Sequence, residues 1–170
     1  MALLLDRMAP DEAAATKLLG QEHFQVAYVT TDLDRARALL SDELGLRDYV
    51  RMSAPLPDGG VLTADFAWAG PLMYEIIHAT GAGADFFQDA VLAQPSSTLA
   101  FHHLGFLVRS REQWEHLLAD ARSRGWAVPY LVHRVGRSVF MVKTPHLPHY
   151  LEYIAMDERA LKGMRAPPRA

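Results

Sequence analysis

Two stretches of the chain follow the same order of predicted elements, and this repeat limits the folds open to the sequence more than any other feature. Residues 23–80 are predicted to form a strand, an amphipathic helix and three further strands, and residues 99–157 repeat that order. Alternation of apolar and polar residues indicates the strands, and a spacing of three to four indicates the helices. We therefore predict an α+β fold of two tandem β-α-β-β-β units.

The helix of each unit has a start signal and an apolar face. In the first unit Thr31 or Asp32 is the predicted cap, and in the second unit the helix ends at Gly125. A further short helix is predicted at residues 86–92, in the segment that links the two units. The apolar face of the first helix is predicted to consist of Leu33, Ala36, Leu40 and Leu44.

Four polar residues occupy matching places in the two units. Gln25 lies on the opening strand of the first unit, and Glu75 follows 50 residues later on the last strand of that unit. His103 and Glu152 occupy the same places in the second unit and are 49 residues apart. If the two units pair their sheets into one curved, mixed-sheet trough, these four side chains meet at one point.

Strand alternation gives the two glutamates apolar neighbours. Glu75 shares its face with Met73 and Ile77, and Glu152 shares its face with Tyr150 and Ile154. An ionised carboxylate in such surroundings is costly without a compensating cation or hydrogen bonds. One amide, one imidazole and two carboxylates suit a divalent metal such as Zn²⁺, Ni²⁺, Co²⁺, Mn²⁺ or Fe²⁺. We therefore predict a metal site formed by Gln25, Glu75, His103 and Glu152.

Composition narrows the class of protein. The 170 residues include no cysteine, which excludes disulfides, thiolate metal sites and thiol nucleophiles. The net charge is −3 and the 17 basic residues form no run, so a nucleic-acid partner is not expected. No segment is long and apolar enough to predict a membrane span. We expect a single domain over residues 1–170, a cytoplasmic location and a small-molecule substrate.

The ends of the chain lie outside the repeat. A helical extension is predicted at residues 10–19, and the polar segment after residue 156 is predicted to be a loose tail. Either end could cover an interface between two copies of the chain. We predict a homodimer, and the sequence leaves open whether the site is built within one chain or across the dimer.

Several segments resemble the glyoxalase, bleomycin-resistance and extradiol-dioxygenase group, known as the vicinal oxygen chelate superfamily. "FQVAYVTTDLDRA" resembles the opening strand and helix start of that group, and "HLGFLVRS" resembles the second opening strand. "LMYEIIH" and "PHYLEYI" resemble the strands that carry its second and last ligands. The resemblance covers residues 24–156 and implies that Gln25, Glu75, His103 and Glu152 are the metal ligands.

The glyoxalase I-like members are the most similar by this ligand set. The resemblance implies a lyase or isomerase that acts on a small carbonyl or hydroxycarbonyl compound through a metal-stabilised enediolate, with Glu75 or Glu152 as the general base. Methylmalonyl-CoA epimerases of the group generally use His, Gln, His and Glu instead. The extradiol dioxygenases take iron ligands from the first, third and last places as two histidines and a glutamate, and Gln25 disfavours that chemistry.

Other interpretations stay open. The trough could be a non-catalytic module that binds a hydrophobic metabolite or antibiotic, or the site of a non-haem iron oxygenase. His102 is predicted to be a packing or second-layer residue, because strand alternation turns it away from the face of His103. His146 and His149 are candidates for substrate contacts or for surface positions. The bulky candidates for either a pocket or the core are Phe66, Trp68, Phe101, Phe140 and Tyr150.

Overall fold

The computed structural model describes residues 16–94 and 96–164, and its elements follow the predicted order. The 3₁₀ turn Leu18–Gly20 precedes the first strand. The strands and helices are β1 (Glu22–Val29), α1 (Leu33–Asp42), β2 (Val50–Pro55), β3 (Val61–Ala69), β4 (Leu72–Thr80), α2 (Asp85–Leu92), β5 (Ala100–Val108), α3 (Arg111–Ser123), β6 (Ala127–Arg134), β7 (Arg137–Lys143), β8 (Tyr150–Met156) and α4 (Glu158–Met164). This confirms the predicted α+β fold of two β-α-β-β-β units.

One mixed sheet contains the eight strands of the described chain, in the order β2-β3-β4-β1-β5-β8-β7-β6. Within each unit the first and last strands are parallel, β1 with β4 and β5 with β8. The two units join through antiparallel pairing of β1 with β5. The sheet curls into a half-barrel, and the four strands that were predicted to carry the polar residues are its four central strands.

Helix α1 covers the outer face of the first unit. The Asp32 side chain caps it by accepting a hydrogen bond from the backbone N–H of Arg35 at 3.0 Å. Leu33, Ala36 and Leu40 pack against the sheet, as predicted. The prediction for Leu44 is wrong, because α1 ends at Asp42 and the chain turns at Gly45, which has a φ of 75°. Leu44 is 70% exposed, and Leu46 is buried in its place.

Helix α3 covers the outer face of the second unit. The Ser110 side chain caps it by accepting from the backbone N–H of Gln113 at 3.1 Å. The buried indole of Trp114 donates to the carbonyl oxygen of Tyr153 on β8 at 2.9 Å, which fastens the helix to the sheet. With 13 residues it is the longest helix described, and no helix among the described residues is long and apolar enough to cross a bilayer.

Helix α2 has a different position, because it packs into the trough. Phe87 and Val91 are buried against Ile77, Ala79 and Met141, which lie on strands of both units. The Gln88 side chain donates to the carbonyl oxygen of Ala79 at 2.8 Å. This helix, predicted at residues 86–92, closes one end of the trough and leaves the other end open.

The two ends of the chain differ from their predictions in separate ways. Residues 10–15 of the predicted helical extension lie outside the described residues, and Leu18 and Leu19 form part of the 3₁₀ turn. The prediction of a loose tail is wrong for Glu158–Met164, which forms α4. The Asp157 side chain accepts from the backbone N–H of Ala160 at 2.8 Å, so a capping residue followed by good helix formers explains the helix.

Candidate metal centre

The four predicted polar residues meet at the centre of the trough, within one chain. Gln25, Glu75, His103 and Glu152 lie on β1, β4, β5 and β8 and line one cavity. The Nε2 atom of His103 is 3.4 Å from Oε2 of Glu75 and 3.3 Å from Oε2 of Glu152. One ligand atom from each of these three residues lies within 4.8 Å of the others.

Strand register brings these side chains together and depends on a glycine. Gly105 of β5 lies opposite Gln25 on one side and opposite Glu152 on the other. A Cβ atom at Gly105 would lie 2.8 Å from Cβ and 3.0 Å from Oε1 of Gln25, closer than van der Waals contact allows. The missing side chain therefore makes the room that Gln25 occupies between the two central strands.

Burial and charge shift the proton affinities at this centre. His103 is fully buried, and Glu75 and Glu152 are each 7% exposed. Burial alone lowers the pKa of His103, but the negative charges of Glu152 and Glu75 outweigh it and raise that pKa to about 9. Burial raises the pKa of Glu75, although the imidazole of His103 opposes this shift. The imidazole of His103 therefore binds a proton more tightly than a free imidazole in the metal-free centre.

Two buried oxygens at this centre have no hydrogen-bond partner among the described residues. They are Oε1 of Gln25 and Oε2 of Glu152. The Oε2 atom of Glu152 lies 3.3 Å from Nε2 of His103, but the two atoms do not meet the geometry of a hydrogen bond. The Gln25 amide instead donates its N–H to Oε2 of Glu75. An unsatisfied buried acceptor costs about 1–3 kcal/mol, and a cation would satisfy both oxygens.

The donor set suits a divalent cation. A half-turn of the Gln25 amide exchanges its oxygen and nitrogen, which are almost equal in size, and directs Oε1 towards Glu75 and His103. The centre then offers three oxygen donors and one imidazole nitrogen, and two carboxylates balance a charge of +2. The residues present therefore fit a divalent metal ion.

The neighbouring His102 determines which nitrogen of His103 faces the carboxylates. Burial lowers the pKa of His102 to about 3, so its ring is neutral and carries one N–H. That N–H is on Nε2, because Nε2 lies 3.1 Å from the carbonyl oxygen of Phe86, which can only accept. Nδ1 of His102 therefore accepts from Nδ1–H of His103 at 2.9 Å. The predicted second-layer role of His102 agrees with this contact, but the prediction that strand alternation turns it away from His103 is wrong. The register of β1 with β5 shifts between His103 and Phe101, and the ring of His102 packs against Phe86 and Phe87 of α2, on the trough side.

Comparison with known proteins identifies the fold. No model of a known protein family matches the sequence, and no curated protein matches it significantly. Solved structures do match. A variant of methylmalonyl-CoA epimerase from Streptomyces coelicolor, in complex with 2-nitronate-propionyl-CoA, has a TM-score of 0.60 and 14% identity, with 86% of this chain and 99% of that chain covered. The chain has the vicinal oxygen chelate fold.

Two further solved structures resemble the chain to a similar degree. Methylmalonyl-CoA epimerase from Mycobacterium tuberculosis has a TM-score of 0.55 and 14% identity, over 83% of this chain and 91% of that chain. A hypothetical protein from Bacillus halodurans C-125 has a TM-score of 0.59 and 14% identity, over 81% and 96%. At this identity the likeness establishes the vicinal oxygen chelate fold, and activity has to be argued from the site.

The cavity that the four residues line, deep in the trough, is small. It has a volume of about 60 Å³, room for an ion and a few small groups. Of the bulky candidates, Phe66 lines this cavity and Trp68 lines the adjoining groove. Phe140 is fully buried in the core beneath α3. Phe101 is 38% exposed, and Tyr150 packs beside α2.

The remaining histidine candidates lie elsewhere. His146 and His149 belong to the loop before β8 and are not among the residues that line the cavity. The ring of His149 packs against Phe101 with 4.9 Å between the ring centroids. The structure therefore leaves the substrate contacts predicted for these two residues without support.

Three residues of the site were not singled out from the sequence. Gly105 follows His103 by two residues, so it shares the inner face, and its missing side chain was the available signal. Arg134 and Arg137 flank the turn between β6 and β7, and both line the cavity. Charged residues beside a hairpin turn are usually exposed, so nothing local distinguished them.

Proposed function

We propose that the protein is a divalent-metal-dependent lyase or isomerase that moves a proton next to a carbonyl group of a small carbonyl or hydroxycarbonyl compound. The convergence of Gln25, Glu75, His103 and Glu152, with two buried oxygens that lack a partner in the described chain, carries this proposal. Solved structures of the same fold include enzymes named methylmalonyl-CoA epimerase, which is in keeping with it.

The ion would be held by Oε1 of Gln25, by the carboxylates of Glu75 and Glu152, and by Nε2 of His103. Nitrogen and oxygen donors of this kind suit Zn²⁺, Ni²⁺, Co²⁺, Mn²⁺ or Fe²⁺. Such an ion, when bound, polarises the oxygens of a substrate and makes the adjacent C–H group more acidic. The His102–His103 hydrogen bond keeps the lone pair of Nε2 directed into the site.

Glu152 is the better candidate for the general base. Oε2 of Glu152 has no hydrogen-bond partner among the described residues, whereas Oε2 of Glu75 accepts from the Gln25 amide before the half-turn that would direct Oε1 of Gln25 to an ion. Glu152 takes the proton from the carbon that bears the hydroxyl group, and the electron pair of the broken C–H bond moves towards the carbonyl oxygen. The hydroxyl proton passes to the former carbonyl oxygen, and the same carboxyl group then returns the carbon-bound proton to the adjacent carbon, so that the carbonyl and hydroxyl groups change places. No oxidant or reductant is needed.

Metal analysis and proton exchange test this proposal together. Protein purified without a polyhistidine tag should contain about one divalent ion per chain. In D₂O, NMR should detect exchange of the proton next to the carbonyl in at least one of three compounds, namely the hemithioacetal of glutathione and methylglyoxal, methylmalonyl-CoA and a simple hydroxyketone. A chelator should abolish this exchange, and replacement of the ion should restore it.

Matched variants make the test specific. Glu152→Gln should slow exchange about 10²–10⁴-fold while the circular dichroism spectrum stays unchanged. Glu43→Gln, at an exposed position beyond α1, is the control and should exchange normally. Metal content and activity that are unchanged in Glu152→Gln would refute the proposal. Tight binding of a hydrophobic ligand to metal-free protein without turnover would favour a binding module, and oxygen consumption with phenols would favour an iron oxygenase.

The homodimer predicted from the sequence stays a prediction. The four residues of the candidate site line one cavity of a single chain. Light scattering at micromolar concentration measures the mass in solution, and a mass close to 19.0 kDa would mean a monomer.

A further inference from the structure

An apolar groove continues from the central cavity towards the open end of the trough. It has a volume of about 350 Å³, within the range of sites for small molecules. Phe66, Arg134 and Arg137 line both the cavity and the groove, so the two spaces adjoin. The apolar part of the groove lining includes Val50, Met52, Trp68, Met73 and Met156.

Arg137 stands at the junction of the two spaces. Its side chain is half-buried, and its guanidinium forms no hydrogen bond and no ion pair with any residue in the described ranges 16–94 and 96–164. The nearby Arg134 differs, because it donates to the carbonyl oxygen of Pro55 at 2.5 Å across the mouth of the trough. A half-buried guanidinium with unused donors is suited to an anionic group of a ligand.

Strand register gives the distance between Arg137 and the candidate metal centre. Arg137 lies opposite Met156, and Met141, four residues further along β7, lies opposite Glu152. Four residues of a strand span about 13 Å between Cα atoms, and the long arginine side chain covers part of that distance. A group bound to Arg137 and a group bound at the candidate metal centre can therefore belong to one small molecule.

We infer that the substrate is an apolar carboxylic acid whose carboxylate binds Arg137 and whose apolar body lies in the groove beside Trp68 and Met52. This inference rests on the proposed function, since the oxo or hydroxy group of the same molecule reaches the candidate metal centre that contains Glu152. Carboxylate and guanidinium pair through two parallel hydrogen bonds. The guanidinium of Arg137 with its unused donors matches one carboxylate. Arg134 has one nitrogen fixed on the neutral carbonyl oxygen of Pro55 but keeps its charge, so a phosphate probe tests whether the two arginines together prefer a dianion.

The negative charge of Asp48, on the wall of the groove opposite Arg137, is compatible with this arrangement. Asp48 also lines the groove, but it precedes β2 in the first unit, whereas Arg137 begins β7 in the second unit. Its carboxylate disfavours an anion on that side and therefore helps to direct the ligand's carboxylate towards Arg137. The apolar residues between the two walls accommodate the uncharged body of the ligand.

Three probes of similar size test the inference: 4-phenylbutanoate, the neutral 4-phenylbutanamide and 3-phenylpropyl phosphate. Calorimetry on metal-loaded and on chelator-treated protein should give at least about tenfold tighter binding of the carboxylate than of the amide, a difference of about 1.4 kcal/mol. Binding should also change the fluorescence of Trp68, and Trp68→Phe should remove that signal.

Variants assign the preference to one side chain. Arg137→Gln should abolish the preference for the carboxylate, and Arg137→Lys should retain part of it, because lysine keeps the charge but loses the paired geometry. Arg124→Gln, which removes an exposed arginine paired with Asp120 on α3, is the control and should bind all three probes normally. Circular dichroism and thermal unfolding should show that each variant is folded.

Each outcome separates this inference from the proposed function. Equal binding of the acid and the amide, or an undiminished preference in Arg137→Gln, overturns the inference even if the ion and proton exchange are found as proposed. Tighter binding of the phosphate than of the carboxylate overturns the assignment of a carboxylic acid. An Arg137-dependent preference without metal binding or exchange supports the anion site and overturns the proposed function.

Discussion

The Nδ1 atoms of His102 and His103 lie 2.9 Å apart, and the second ring nitrogen of His102 lies 3.1 Å from the carbonyl oxygen of Phe86. This chain of hydrogen bonds links helix α2 to the candidate metal centre. It holds the imidazole of His103 in one orientation and one tautomer. The position of helix α2, which closes one end of the trough, therefore affects the orientation of His103 in the candidate metal centre.

Loss of the His102 acceptor should weaken metal binding. His102→Phe preserves an aromatic ring in the cluster formed with Phe86 and Phe87, but it cannot accept from His103. We expect a 10–100-fold lower metal affinity, as is usual when the partner of a ligating histidine is lost. Calorimetric titration measures this affinity, with His116→Asn, at an exposed position of α3, as the control. Equal affinities would mean that His102 serves packing alone.

Metal affinity should rise with pH. In the metal-free protein the pKa of His103 is raised to about 9, so an ion must displace a proton from Nε2 at neutral pH. Below pH 9 the affinity should therefore increase by up to about tenfold per pH unit from this group, and it should level off above that pH. Titrations in buffers of different ionisation enthalpy should detect the released proton. An affinity that is constant between pH 6.5 and 9 would contradict this.

The metal-free protein should lose stability as the pH rises through the same range. The pKa of His103 is higher in the folded protein than its usual value of 6.5, so the folded state binds more protons between pH 6.5 and about 9. The stabilisation from this group is complete below pH 6.5 and is lost as the pH rises through about 9. Thermal unfolding of chelator-treated protein at several pH values measures it, and His103→Gln should remove the dependence.

A methyl group at Gly105 should displace Gln25. Gly105→Ala places a Cβ atom 2.8 Å from Cβ of Gln25, in a buried position where overpacking typically costs 1–3 kcal/mol. We expect lower stability and weaker metal binding, measured by thermal unfolding and by titration. Gly163→Ala in α4 is the control, because nothing lies within 4 Å of the added atom. If Gly105→Ala matched the parent in both measurements, Gln25 would not need this space.

The edge strand β2 should depend on one arginine. Nε of Arg51 lies 2.7 Å from Oδ1 of Asp65, and the second guanidinium contact to Oδ2 is 2.8 Å, although Arg51 is partly exposed and Asp65 is completely buried. Arg51→Met leaves a buried carboxylate without its partner, which should cost about 1–3 kcal/mol of the free energy of unfolding. The double variant Arg51→Met with Asp65→Leu should recover much of that loss. Urea unfolding measures both, and an additive double variant would contradict the pairing.

The repeat made much of the fold accessible from the sequence. Apolar alternation and capping residues such as Asp32 and Ser110 are local features, and the structure contains the predicted strands and helices to within a few residues. The matching places of Gln25 and His103 predicted which residues would meet. Errors occurred where local signals were weak, as at Leu44, beyond the true end of α1, and at Glu158–Met164, where polar composition concealed a helix.

The sequence by itself determined the duplication, the order of the elements and the four polar residues at equivalent positions, because periodicity and spacing are properties of the chain alone. Only the tertiary structure decided how those residues interact. It connects His103 through His102 to the carbonyl of Phe86, gives Gln25 its space at Gly105, and leaves the guanidinium of Arg137 without a hydrogen bond or ion pair in the described chain. These relationships join atoms that are distant in sequence, and they arise only when both halves of the sheet curl around one cavity.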